Sequence, residues 1–168
     1  MMNNHSIKLF DYNTWANKTI LDHLMQLPSE LCHENIKSVF PSIFDTLMHI
    51  YIVDYGWHSL LIRRYASDDY EAIRSTIARL TEEVKALSLP DFGKKQDLLS
   101  KSYYDFVSTT DMEQTTTYST LSMQHSEVIQ HVVNHGTYHR GNIAAMLRQL
   151  DHAGVSTDYS TYLYQAMK

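Results

Sequence analysis

His131-Val132-Val133-Asn134-His135-Gly136-Thr137-Tyr138-His139-Arg140-Gly141-Asn142 sets three histidines four residues apart in a proline-free run whose apolar residues have helical spacing. Residues four apart on a helix stand one above the other, so two successive imidazoles can close on one metal ion. At about 100° per residue, Val128, Val132, Ile143, Met146 and Leu150 gather on one face, the one a helix buries. His139 lies about 25° from the centre of that stripe, His135 about 65° and His131 about 105°. His135 and His139 therefore point inward, and His131 sits at the edge. A buried imidazole needs partners for its ring nitrogens, and either a shared metal or an ordinary core hydrogen bond supplies one. The spacing alone fits both readings; a third ligand separates them.

Outward from this stretch the chain reads as helices. Only five glycines and three prolines are present, which leaves little material for tight turns. A first helix is expected from Ser6 to Leu27, with Leu9, Phe10, Trp15, Ile20, Leu24 and Leu27 at near-helical spacing and Pro28 as its stop. Residues 28–41 read as a connection. A second helix is expected from Ser42 to about Tyr65, opened by Ser42-Ile43-Phe44-Asp45, a capping box with Asp in place of Glu. Ile43, Ile50, Val53, Trp57, Leu60 and Leu61 form its apolar face, with His49 on the edge and His58 on the opposite side. Tyr70 to Leu87 reads as a third helix, which Leu89-Pro90-Asp91-Phe92-Gly93 breaks. Gln96 to Val107 reads either as a short helical continuation or as loop. Thr115 to Leu121 has strand propensity, compatible with a small hairpin before the last long helix, Ser126 to Leu150. Tyr159, Tyr162 and Tyr164 remain in the tail. Four amphipathic helices bury their single apolar faces by forming a bundle, so the expectation is an all-α four-helix bundle, one domain over residues 1–168.

Composition narrows the function classes. Net charge is −5 over 168 residues, with both signs mixed and no basic cluster, so nucleic-acid binding has no electrostatic footprint. No apolar stretch approaches the roughly 18 residues a membrane span needs, and the N-terminus lacks a signal-peptide pattern. The single cysteine, Cys32, cannot close an internal disulfide, and a cytoplasmic location is the plain expectation. Cys32 itself reads as a small half-buried side chain rather than a nucleophile.

Bundle cores are where facing helices assemble metal sites. His49 is the other histidine placed inward near the middle of a strong helix, which makes it the natural third ligand to His135 and His139. Three histidines describe an open, catalytic zinc-type site, since structural zinc is usually closed by four ligands rich in cysteine. Nickel or ferrous iron also accepts imidazoles. Two other designs fail: Gly136 stands where a metalloprotease His-Glu-x-x-His needs glutamate, and a di-iron bundle needs Glu-x-x-His twice, where only Glu30-Leu31-Cys32-His33 fits.

Phe10-Asp11-Tyr12-Asn13-Thr14-Trp15-Ala16-Asn17, His49 followed by Trp57, and the run from His131 to Asn142 together resemble the DinB/YfiT-like superfamily. The resemblance extends from about residue 6 to Thr157-Asp158-Tyr159. It implies a bundle of up-down-down-up order, often a homodimer, with a divalent metal on three histidines that carry onto His49, His135 and His139. Zinc or nickel is the first expectation for the ion, iron or manganese the next. Relatives of known activity include thiol S-transferases that use bacillithiol, mycothiol or glutathione, and a maleylpyruvate isomerase. Asn142 departs from the glutamine common in the family after His-Arg-Gly, which shortens a polar arm near the site.

A metal on three histidines can bind a small thiol as thiolate or activate a water. The leading expectation is therefore a metal-dependent transferase acting on a small-molecule substrate such as a low-molecular-weight thiol. A metal-binding sensor or dimeric interaction module and a metal-dependent hydrolase are the alternatives. His131, Asp54 and Asn142 are candidate supports for the ligands, although Asp54 is expected mainly to solvate its helix. Arg140 is expected in a surface or interface salt bridge, and Tyr12, Trp15, Trp57 and Tyr138 in the core or the pocket wall. Metal affinity is expected to weaken as pH falls through about 6.5, where imidazole protonates.

Overall fold

Ser42 opens a helix because its hydroxyl accepts the Asp45 N–H at 3.0 Å and donates to the Asp45 carboxylate at 2.6 Å. In the computed structural model, which describes residues 3–64 and 69–167, that helix is α2, Ile43–Leu61. It follows α1, Asn3–Leu24, and a 3-10 turn at Ser29–His33. After it come α3, Tyr70–Lys85, and α4, Leu89–Thr109, then strands β1, Thr115–Tyr118, and β2, Leu121–Gln124. The chain closes with α5, His125–Gln149, and α6, Tyr159–Ala166. No helix among the described residues is long and apolar enough to cross a membrane.

α2 stops at Leu61, short of the expected Tyr65. Arg63 takes a left-handed φ of 50° and Arg64 N–H returns to Ser59 O, closing the helix with backbone bonds. Tyr65 itself lies outside the described residues.

The larger correction concerns Leu89-Pro90-Asp91-Phe92-Gly93: α3 does end before it, at Lys85, but the segment itself starts a new helix. Ser88 is its N-cap, accepting the Asp91 N–H, and Pro90 sits in the first turn, where its missing N–H costs nothing. Gln96 to Val107, open between helix and loop on the sequence, is the body of this 21-residue helix. α4 rather than α3 is the third bundle helix; α3 packs on the outside of α2.

Pairings along the helices give their directions. Phe10 stacks on Tyr103 at 4.6 Å while Leu21 approaches Gly93, so α1 and α4 are antiparallel. Thr46 meets Met146 and Trp57 meets His131, so α2 and α5 are antiparallel. Phe44 packs on Phe92 and His58 bonds Ser102, so α2 and α4 are parallel. Asn13 meets Arg140 and His23 meets Ala153, so α1 and α5 are parallel. The result is an all-α bundle of α1, α2, α4 and α5 in up-down-down-up order. Ile20, Ile43, Phe92, Val128, Ile143 and Met146 fill its core.

The two strands form the small hairpin, with Thr115 opposite Gln124 and Tyr118 opposite Leu121 across a turn that holds Ser119 at φ 55°. The tail folds back on α1. Tyr12 donates its hydroxyl to Thr157 O at 2.9 Å and sits edge-on to Tyr159, while the Trp15 indole donates to Gln165.

Candidate metal centre

The antiparallel pairing that sets Thr46 beside Met146 and Trp57 beside His131 puts His49 level with the middle of α5. There it meets His135 and His139. One ring nitrogen from each of the three lies within 4.8 Å of the others, and the group holds no carboxylate and no thiol. His49 Nε2 and His135 Nε2 stand 3.1 Å apart. Two nitrogens bound at zinc distances on a tetrahedral ion would be about 3.3 Å apart. The His49–His135 pair is therefore already at the spacing a metal requires, and His139 lies within 4.8 Å of both. The Nδ1 of His135 is buried without a partner.

Charge state points the same way. Burial, reinforced by the neighbouring His139 and His49, lowers the pKa of His135 to about 4. Burial also lowers His49, and burial followed by the nearby His49 lowers His139. All three rings are neutral near pH 7, the state in which imidazole binds metal.

Asn142 contacts His139, its amide 3.3 Å from Nδ1, which leaves Nε2 of that ring available to a metal. With a metal on Nε2, a half-turn of the amide presents Oδ1 to the Nδ1–H. His131 is exposed and outside the group, its ring 6.2 Å from that of His135 and 4.7 Å from Trp57. Phe40, in the connection that the sequence reading left without a role, lies against His49 at 4.6 Å and His139 at 5.6 Å. Periodicity cannot place a residue outside a regular element.

Several expected roles change. Asp54 does not solvate its helix: it is 2% exposed, its Oδ1 has no partner, and burial pushes its pKa up to about 8 despite a nearby Arg140. Among the described residues no hydrogen bond joins its carboxylate to the three imidazoles. His58, placed opposite the apolar stripe, is also buried, bonding Ser102 Oγ at 3.0 Å and packing on Tyr103. Both residues face α4, which covers a second side of α2. Tyr138 is 61% exposed rather than core, although its ring flanks His139 at 4.9 Å. Cys32 is fully buried, and desolvation pushes its thiol up to about 11, which removes it as a nucleophile.

Arg140 makes no surface salt bridge. It is 2% exposed and turns away from the histidines toward α1, where Nη1 donates to Asn13 at 2.8 Å and Asn17 at 2.7 Å. Gly136 makes room for it: a Cβ there would lie 2.7 Å from Nη1 and 2.8 Å from Asn13 Oδ1. The signal was present in the sequence as two asparagines four apart on α1 and a glycine one turn before the arginine. α5 therefore presents two histidines of the candidate metal group on one face and a buried cation on another.

Comparison with known proteins agrees with the motif reading. A family model described as "DinB family" matches residues 1–168. The chain is also 37% identical to "Protein DinB" of Bacillus subtilis (strain 168), in an alignment covering 97% of this chain and 96% of that protein.

Proposed function

Because this chain belongs to the DinB family, we propose that His49, His135 and His139 hold a divalent metal, zinc or nickel first, in an enzyme that transfers a low-molecular-weight thiol to an electrophile. The observation that carries the reading is the composition of the group: three imidazoles within 4.8 Å, with no fourth ligand beside them among the described residues. Such a set leaves coordination positions for substrate, as catalytic rather than structural sites do.

The ion, when bound, supplies the charge that keeps a thiol ionised near pH 7. The chain supplies the rest. His135, held neutral by burial and by its neighbours, keeps its ligand electrons free of protons at physiological pH. Asn142 fixes the ring of His139, and Phe40 and Tyr138 wall the site with apolar surface. Buried Arg140 adds positive charge behind the histidines, which favours an anionic ligand in front of them. The thiol must come from outside, since Cys32 is buried and protonated. A cytoplasmic homodimer is part of the same proposal, and sedimentation measures its stoichiometry.

The test is elemental analysis followed by thiol consumption. The purified protein is expected to carry one metal per chain and to consume bacillithiol or glutathione with some members of an electrophile panel. Metal without thiol turnover would move the assignment to a hydrolase or a sensor, and full metal content in His135→Ala would remove the site.

A further inference from the structure

Ring contacts continue past the histidine group toward the hairpin. His131 stands one turn before His135 on α5, its ring 6.2 Å from that of His135 and edge-on to Trp57 at 4.7 Å. Trp57 in turn lies 5.2 Å from Tyr118 on β1. These three rings join α2, α5 and the hairpin, and they are not core: Tyr118 is 57% exposed, His131 is exposed and Trp57 is half-buried. An indole, a phenol and an imidazole thus stand at the surface in one unbroken series that ends on a candidate metal ligand.

Gly56 adds an independent observation. It falls seven residues after His49, within about 20° of the same line on α2 and about 10 Å further along the axis. Glycine weakens a helix interior. Packing does not ask for one here: among the described residues, a Cβ at Gly56 would meet nothing within 4 Å beyond its chain neighbours and its own helix backbone. Gly136, by contrast, is required by its contact with Arg140. α2 therefore keeps open space next to Trp57 in sequence and in line with His49.

We propose that Trp57, Tyr118 and His131, with the space at Gly56, form the subsite for the electrophile, and that the electrophile taken there carries an uncharged aromatic ring. The proposal rests on the thiol-transfer reading of the three histidines. Flat rings pack well against indole and phenol faces and edges, and this series holds no lysine, arginine or carboxylate to select a charged partner. His49 and Trp57 are eight residues apart, about 12 Å along the helix, which leaves room for one ring with its reactive carbon turned toward the histidines. There the thiolate sulfur gives an electron pair to that carbon and the C–S bond forms. The bond from carbon to the leaving group breaks, and its pair departs with the leaving group, as chloride in the case of benzyl chloride.

The test gives the metal-loaded full chain bacillithiol or glutathione with benzyl chloride or chloroacetamide, which share a leaving group and differ in the ring. Trp57→Ala removes the central ring, and Gly56→Leu places a side chain in the open space. Each is expected to lower the ratio of kcat/KM for benzyl chloride over chloroacetamide about tenfold, with metal content kept. A ratio that Gly56→Leu leaves unchanged would overturn the aromatic subsite while thiol transfer stands. If neither electrophile is consumed, thiol transfer falls and binding decides. Unreactive benzyl alcohol is then expected to shift the Trp57 indole N–H resonance in the wild type and not in Gly56→Leu. No shift in the wild type, or the same shift in the variant, would overturn the proposal.

Discussion

Half-buried His135 and fully buried Asp54 both favour their uncharged forms, and their effects on stability have opposite signs. An unfolded chain protonates His135 through its ordinary value of 6.5, whereas the folded chain resists until about 4. Between those limits the unfolded state holds more protons, so His135 makes the metal-free protein lose stability as pH falls from 6.5 to 4. Metal retention should therefore persist below pH 6.5 and fail toward 4, a lower window than free imidazole gives; a metal titration followed by pH measures it. Asp54 works the other way: the folded state keeps a proton up to about 8 that the unfolded state releases near 3.8. Its contribution is lost as pH rises across that range, and Asp54→Asn should stabilise the protein by on the order of 2–4 kcal/mol at pH 7, with little effect near pH 4. Urea unfolding at the two pH values reads this difference. His49, His135 and His139 could be brought together on paper because each sits near an apolar stripe. Asp54 and Arg140 could not, because a wheel with one buried stripe assigns polar residues away from that stripe to solvent. In a bundle α2 touches both α4 and α5, and α5 touches both α1 and α2, so each has more than one buried side.

At the scale of elements, the beginning of α4 was the least legible part of the chain. A serine followed by Leu-Pro-Asp is at once a turn signal and a helix cap, and local sequence does not decide between them. Tertiary packing does, since Phe92 lands on Phe44 and Tyr51 and commits the segment to the core. Ser88→Ala should cost about 1 kcal/mol by removing the cap, read by denaturant unfolding, with the helix content of the folded state kept. Gly136→Ala is a harsher test of element packing. Its methyl would strike both partners of the Arg140–Asn13 bond, and overpacking of this kind costs about 1–3 kcal/mol. The long helices and the hairpin, by contrast, were readable because apolar spacing and threonine-rich strand propensity act locally.

Across the whole molecule, the three histidines join α2 to α5, with His49 and His135 86 residues apart in the chain. A metal held there ties the bundle across one of its helix pairs and acts as a ligand of the folded state alone. At free metal about 100 times its dissociation constant, the folded state should gain about 2.7 kcal/mol. Calorimetry should show a melting temperature that rises with added metal, returns with chelator, and does not move in His49→Ala. The same architecture has a consequence for how the protein tolerates change. α5 is a shared wall: one side carries His135 and His139, another is anchored to α1 through Arg140, Asn13 and Asn17. A replacement at Asn13, no ligand itself but in contact with Arg140 and Gly136 beside His139 and His135, is expected to change metal affinity, with its remedy at Gly136 or Arg140. Neutral drift in α1 is thereby constrained by a site to which α1 contributes no ligand.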